Sequence, residues 1–206
     1  MKPIALIGGG GHARSIVEMT EGRATIAGYV DRAPVASMGG LEWLGDDLSF
    51  LESSSPLDVD VHLAIGFGAG CSLEGRRRII KKYEDFTHAT LIAPSAWLSP
   101  SSAVGVGSTV MARAVVNRSD VGLWTVINTG AVIEHDCFIG DNCFIGPGAI
   151  LCGGVSVADD VFVGAGAVVR QGVTIVSGAV VGMGTVVISD IAEPGVYVGN
   201  PARKIR

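Results

Sequence analysis

One histidine in the C-terminal half of the chain stands where acid–base chemistry is expected. The run Ile133-Glu134-His135-Asp136-Cys137-Phe138 sets an imidazole between two carboxylates within an otherwise aliphatic stretch. An imidazole is largely neutral near pH 7, so it can accept the proton that an amine or hydroxyl loses on attacking an activated carbonyl. A neighbouring acid fixes its tautomer and stabilises the imidazolium that forms. Spacing leaves open whether Glu134 or Asp136 does this, because successive residues of a strand point to opposite faces. A second candidate lies near the N-terminus, where Ile4-Ala5-Leu6-Ile7 runs into Gly8-Gly9-Gly10-Gly11-His12-Ala13. Gly8, Gly10 and Ala13 have the spacing G-x-G-x-x-A, and Asp31 follows about twenty residues on, an arrangement suited to a nucleotide diphosphate. Glycines let the backbone approach phosphate, and the helix that follows offers free N–H groups with partial positive charge.

The element that must position His135 is a repeat of six. Ile127, Ile133, Ile139, Ile145, Leu151, Val157, Val163, Val169, Ile175, Val181 and Val187 form one column. Four residues after each comes a second column of mostly small residues, from Ala131, Cys137, Cys143 and Ala149 to Ala179, Thr185 and Ile191. Six residues leave room for a short strand and a corner, so successive units bury each other's aliphatic faces by stacking into a β-solenoid. The repeat starts at Ile92, Leu98, Val104, Val110 and Val116, then steps five residues to Val121 before resuming at Ile127. His135 lies between inward Ile133 and Cys137, so it faces outward.

The glycine turn belongs to a different rhythm, spanning residues 1–88. Apolar runs at Ile4–Ile7, Ile26–Val30 and Val59–Ile65 alternate with helical patterns, which predicts a small parallel βαβαβ sheet, half of a dinucleotide-binding fold. Such a half holds one nucleotide diphosphate rather than a full dinucleotide. The alternative is a turn that only joins strand to helix. Arg76, Arg77, Arg78, Lys81 and Lys82 read as a solvated helix face, and His62 and His88 as structural. The period changes near Thr90, which sets the second domain at 89–206.

Composition narrows the functional classes. A net charge of -5 and a pI near 5.3 disfavour a nucleic-acid scaffold. No apolar run approaches the roughly 18 residues that span a bilayer, and no signal-peptide pattern opens the chain, so a cytoplasmic protein without membrane insertion is expected. Cys137 and Cys143 occupy the small inward column and read as reduced packing residues. No histidine or cysteine grouping has metal-ligand spacing, so no metal is expected.

The segments IALIGGGGHAR, INTGAVIEHDCFIGDNCFIGPGA and GVYVGNPARKIR together resemble the bacterial sugar acyltransferases of the hexapeptide-repeat class. Nucleotide-amino-sugar N-acetyltransferases and sialic acid O-acetyltransferases are the nearest types, and the resemblance spans essentially the whole chain. It implies a left-handed parallel β-helix after the half-Rossmann domain, a homotrimer, and acetyl-CoA as co-substrate in the cleft between adjacent coils. It further implies His135 as general base, Asp136 as its orienting acid and a Gly153 amide at the thioester oxygen. Gly153, Gly182, Gly184, Asn200, Arg203 and Lys204 would border acetyl-CoA, and Gly10, His12, Asp31 and Gly66 would hold the nucleotide-sugar. In the next coil unit, where relatives carry a histidine, this chain has Phe144, and after the third strand it has Gly66-Phe67-Gly68-Ala69-Gly70 in place of a polar turn.

The leading expectation is acetyl transfer to the amino group of a nucleotide-linked amino-deoxysugar by direct attack. O-acetylation of sialic acid or a related sugar is the alternative within the class, and a non-catalytic nucleotide-binding scaffold the alternative outside it. A hexapeptide-fold zinc hydratase is disfavoured, since His135 has no imidazole companion in the repeats.

Overall fold

A computed structural model describes residues 2–67 and 72–206. The chain divides into two compact units, Met1–Leu91 and Ile92–Arg206. In the first, β1 (Ile4–Ile7), α1 (Gly11–Thr20), β2 (Ile26–Val30), α2 (Asp47–Ser53), β3 (Asp60–Leu63) and α3 (Leu73–Lys82) follow in order. The three strands form a parallel sheet in the order β2-β1-β3. β1 is central and buried along its whole length, in keeping with its unbroken apolar run. Phe50, Tyr83 and Phe86 pack together against α2 and α3, with ring centroids 5.7 to 6.1 Å apart.

Arg76 departs from the solvated face expected of the basic run. It is buried at 1% exposure and donates through Nη1 to the Ile65 carbonyl. The helix places Arg76 one turn before buried Ile80, so the periodicity that buries Ile80 buries Arg76 too. Arg78, Lys81 and Lys82 do pair at the surface, with Glu74, Glu84 and Asp47 respectively. His62 is fully buried in β3, with Nδ1 2.8 Å from the Ala89 carbonyl oxygen.

The second unit is a left-handed parallel β-helix. Two-residue strands such as Val126–Ile127, Val132–Ile133 and Phe138–Ile139 recur around three faces, which form eight-, six- and five-stranded stacks, parallel except for the last strand of the first. In each strand the second residue points inward. Ile127, Ile133, Ile139, Ile145 and Leu151 have 0% exposure, and the small column from Ala131 to Ile191 is buried throughout. Burying each such aliphatic side chain contributes about 1.5–3 kcal/mol. Ile92, the first member of the column, is instead 43% exposed, and burial is complete only from Val110. A solenoid's end coil lacks a neighbour on one side, so its column residue cannot be enclosed like an internal one.

From Gly107 to Gly184 the corners turn through left-handed residues, and these stack in columns: Arg118, Asp136, Gly154 and Gly172 form one, Arg113, Gly130, Gly148, Gly166 and Gly184 another. The five-residue step shortens the corner between Val115–Val116 and Asp120–Val121. Both strands keep their places, pairing with Val132–Ile133 and Phe138–Ile139 of the next coil. At the far end, Gly195–Val198 pairs antiparallel with Arg203–Lys204. Among the described residues, no helix is long and apolar enough to cross a membrane.

Candidate active site

His135 lies on the corner between the six- and five-stranded faces, with its side chain 59% exposed, as its place between two inward residues requires. Asp136 Oδ2 accepts a hydrogen bond from His135 Nδ1 at 2.8 Å. Glu134, the other candidate acid, accepts from Asn117 Nδ2 at 3.3 Å in the coil below. The left-handed conformation of Asp136, φ 62°, brings its carboxylate to the ring of its own neighbour. That hydrogen bond, with a lesser contribution from Arg118 Nη2 3.8 Å from Oδ1, holds the Asp136 carboxyl below the usual range. An imidazole donating from Nδ1 carries its lone pair on Nε2, the form a general base needs.

One coil above, Gly153 lies against this ring. A Cβ there would stand 2.6 Å from both Cε1 and Nε2 of His135. The next amide, Gly154 N–H, donates to the His135 carbonyl at 2.8 Å, locking the two coils together at this corner. Phe144, which stands where the resemblance implies a histidine, is buried at 7% exposure and stacks on Phe162 with centroids 5.6 Å apart. It is a packing residue with no proton to exchange. Among the described residues, the cysteines Cys137, Cys143 and Cys152 are free, and burial pushes the Cys143 thiol up to about 12. No group of three or more potential ligands that could hold a metal ion occurs among them.

The other expected co-substrate residues do not share this corner. Gly182 and Gly184 lie at the corner between the eight- and six-stranded faces, following Ala179–Val181. Arg203 and Lys204 are exposed on the C-terminal hairpin, where Lys204 Nζ meets Glu193 Oε2 at 2.8 Å, and Asn200 precedes Pro201 in the turn of that hairpin.

In the first unit a pocket of about 870 Å³ opens at the C-terminal ends of the strands, lined among others by Gly10, His12, Asp31 and Gly66. All four expected nucleotide-sugar residues therefore meet in one cavity. Phe67 also lines it, while Gly68, Ala69 and Gly70 of the glycine-rich turn lie outside the described residues. The glycines divide into two kinds. A Cβ at Gly8 would strike Ile65 Cγ1 at 2.6 Å and one at Gly9 the Tyr29 ring at 2.7 Å, so these two serve packing. Gly10 has nothing within 4 Å, so a side chain there would enter the cavity. Gly10 is also the N-cap of α1 and supplies no side-chain cap, whereas Asp46 and Ser72 cap α2 and α3. The first turn of α1 thus receives no side-chain acceptor from its N-cap, the setting in which helix N-termini commonly meet anions.

Asp31 also holds the glycine turn itself. Its Oδ2 accepts from Gly9 N at 2.8 Å and its Oδ1 from Arg32 N at 2.7 Å, so it ties the glycine turn to the end of β2. Burial, helped by the charge of Arg76, lowers His12 to about 4. Its imidazole is therefore neutral near pH 7 and can offer hydrogen bonds but no charge.

Comparison with known proteins agrees with both halves. Residues 3–83 match the PglD N-terminal domain family, 136–171 the bacterial transferase hexapeptide family, and 154–189 the hexapeptide repeat of succinyl-transferase. The acetyltransferase domain of PglB from Neisseria gonorrhoeae is 34% identical, with 100% of each chain covered and a TM-score of 0.90. That domain has also been solved with acetyl coenzyme A. PerB from Caulobacter crescentus, solved with CoA and GDP-perosamine, is 36% identical over 99% of this chain and 97% of its own, with a TM-score of 0.88. WeeI from Acinetobacter baumannii shares the fold at 22% identity and a TM-score of 0.77.

Proposed function

The chain belongs to the hexapeptide-repeat acetyltransferases that use acetyl-CoA, and on that premise we propose that it acetylates the amino group of a nucleotide-linked amino-deoxysugar. The observation that carries the reading is the His135–Asp136 pair, with Nδ1 bound to the carboxylate at 2.8 Å and Gly153 against the ring. The sugar amine attacks the thioester carbon, Nε2 of His135 takes the proton it sheds, and the C–S bond breaks. The departing sulfur then receives that proton, giving CoA and the amide with no acyl-enzyme. The Gly153 N–H makes no hydrogen bond among the described residues, which leaves it available to the oxyanion. That PerB was solved with a GDP-linked sugar supports a nucleotide-sugar for the 870 Å³ pocket. Measuring CoA release across nucleotide-linked amino sugars and free sialic acid tests the reading. Turnover confined to the amino sugars upholds it, and turnover of sialic acid alone overturns it.

The pocket reading predicts that Gly10→Val raises KM for the nucleotide-sugar by about tenfold, the loss of roughly 1.4 kcal/mol of binding. KM for acetyl-CoA should stay the same, and Asp31→Ala should act in the same direction by releasing the glycine turn. Equal losses for both substrates would show that the first unit does not hold the sugar.

We propose a homotrimer packed through the six-stranded face. The outward residues of that face are Trp97, Val115, Val132, Ile150, Val168 and Val186, an apolar column with Trp97 and Ile150 exposed. The corner bearing His135 and the corner bearing Gly182 and Gly184 flank this face, so a second copy would bring together site residues that one chain keeps apart. Light scattering should give three times the 21.1 kDa chain mass. A monomer at working concentration refutes the shared site.

A further inference from the structure

We infer that Ser119 sets the position of the catalytic corner, as a positioning residue acting through the backbone around His135. The inference rests on the reading of His135 as base. Ser119 is buried at 2% exposure in the coil below. Its hydroxyl accepts from the Cys137 N–H at 2.9 Å, and lies 2.7 Å from the Glu134 carbonyl oxygen and 2.9 Å from that of Asn117. The backbone groups on either side of His135–Asp136 are thus anchored on one oxygen. The corner that carries Ser119 is the shortened one. Beneath the two residues His135 and Asp136 it offers the single residue Arg118, whose carbonyl accepts from Asp136 N–H at 3.0 Å. The missing residue leaves the catalytic corner resting on that carbonyl and the Ser119 hydroxyl.

A second hydroxyl in the same coil makes the same bonds under a corner that holds no residue of the proposed site. Thr125 Oγ1 donates to the Gly140 carbonyl at 2.8 Å and accepts from Cys143 N–H at 2.9 Å, and Thr125 is fully buried. Each amide in turn donates to a serine one coil lower, Ser119 N to Ser102 Oγ at 3.3 Å and Thr125 N to Ser108 Oγ at 2.9 Å. Removing either hydroxyl leaves the same kind of buried N–H and C=O unsatisfied, so the two losses of stability should be alike. Only the loss at Ser119 lets a reacting imidazole drift, and a displacement of about 1 Å costs up to about 10²-fold in rate.

The experiment compares Ser119→Ala with Thr125→Val, each in the wild type and in His135→Ala, reading Tm, kcat and KM. Both variants should lower Tm to a similar extent. Ser119→Ala should cut kcat by about tenfold to a hundredfold, with KM for acetyl-CoA within about twofold, while Thr125→Val leaves kcat within about twofold. Ser119→Cys should recover part of the loss, because a thiol fills this place one coil on, where Cys137 Sγ lies 3.2 Å from the Cys152 carbonyl oxygen. If Ser119→Ala does not fold, a partial loss of kcat in Ser119→Cys without change in KM upholds the inference in its place, and wild-type kcat in Ser119→Cys overturns it. Unchanged kcat in Ser119→Ala, an equal fall in Thr125→Val, or a Ser119→Ala deficit that persists without His135 overturns it as well. If His135→Ala itself keeps wild-type kcat, the base reading has failed first, and the two failures are told apart by that control.

Discussion

His135→Ala is expected to lower kcat by about 10² to 10⁴, the usual contribution of a positioned general base, with little change in either KM. The loss stops short of abolition. Alignment of amine and thioester survives the mutation, as does any amide donor at Gly153. Asp136→Asn should be milder, because an amide oxygen still accepts from Nδ1 and only the charge that steadies the imidazolium is lost. A sugar amine is partly neutral at pH 7 and needs less help than a hydroxyl, so the penalty should be smaller for N- than for O-acetylation. Comparing kcat/KM against pH for wild type and mutant on the accepted sugar checks this. A falling limb on the acid side that the wild type shows and the mutant lacks assigns the proton acceptor to His135. Near-wild-type kcat with the limb retained would falsify the role of His135.

Much of this site is legible in the sequence because a solenoid repeats its interior. Once Ile133 and Cys137 are assigned inward by period, His135 must face out, and it does so at 59% exposure. Gly153 came instead from the family resemblance, and the structure sets it over the histidine one 18-residue coil on, the same separation as between Ser119 and Cys137. What period could not supply was torsion. The choice of Asp136 over Glu134 depends on a left-handed φ of 62°, which aspartate tolerates better than most residues but which residue type alone does not assign to this position. The roles of Ser119 and Arg118 were hidden for a related reason. The five-residue step was legible, but which side chain would bridge the shortened corner was not.

In the first unit, pattern fared less evenly. The parallel βαβαβ order followed from alternation of apolar runs and helical spacing, and the sheet order β2-β1-β3 agrees. Gly10, His12, Asp31 and Gly66 do meet around one cavity. Yet charge alone suggested a solvated Arg76, and only its one-turn spacing from Ile80 explains why it is buried. Asp31 illustrates the same limit, because the motif spacing that points to a ribose contact equally suits a carboxylate bound to the Gly9 and Arg32 amides. Residue type and spacing bring groups together, while hydrogen-bond geometry decides which of them remain open to a ligand.

Gly153→Ala should reduce kcat by about 10²-fold while leaving the β-helix intact, a selective outcome for so small a change. The added Cβ would sit 2.6 Å from Cε1 and Nε2 and 3.1 Å from Nδ1 of His135, closer than real carbon contacts allow. Something must shift, and the coil backbone is the stiffer partner. Gly154 N–H is bonded to the His135 carbonyl at 2.8 Å and the Gly153 carbonyl accepts from Gly172 N–H at 3.0 Å. The imidazole is exposed and held by one hydrogen bond to Asp136, so the ring gives way, Nε2 moves by about an ångström or more, and the alignment on which proton transfer depends is lost. Gly153 is not among the positive-φ glycines, so alanine brings no backbone strain. Its neighbour supplies the contrast. Gly154 has φ 71°, where alanine costs about 1–2 kcal/mol, and its Cβ would approach nothing nearer than the Gly172 backbone at 3.9 Å. Gly154→Ala should therefore lower Tm and spare kcat, whereas Gly153→Ala lowers kcat and spares Tm. Thermal melts and steady-state rates on the two purified variants decide the matter. If Gly153→Ala turns over at the wild-type rate, the ring does not act from the position that this glycine leaves for it.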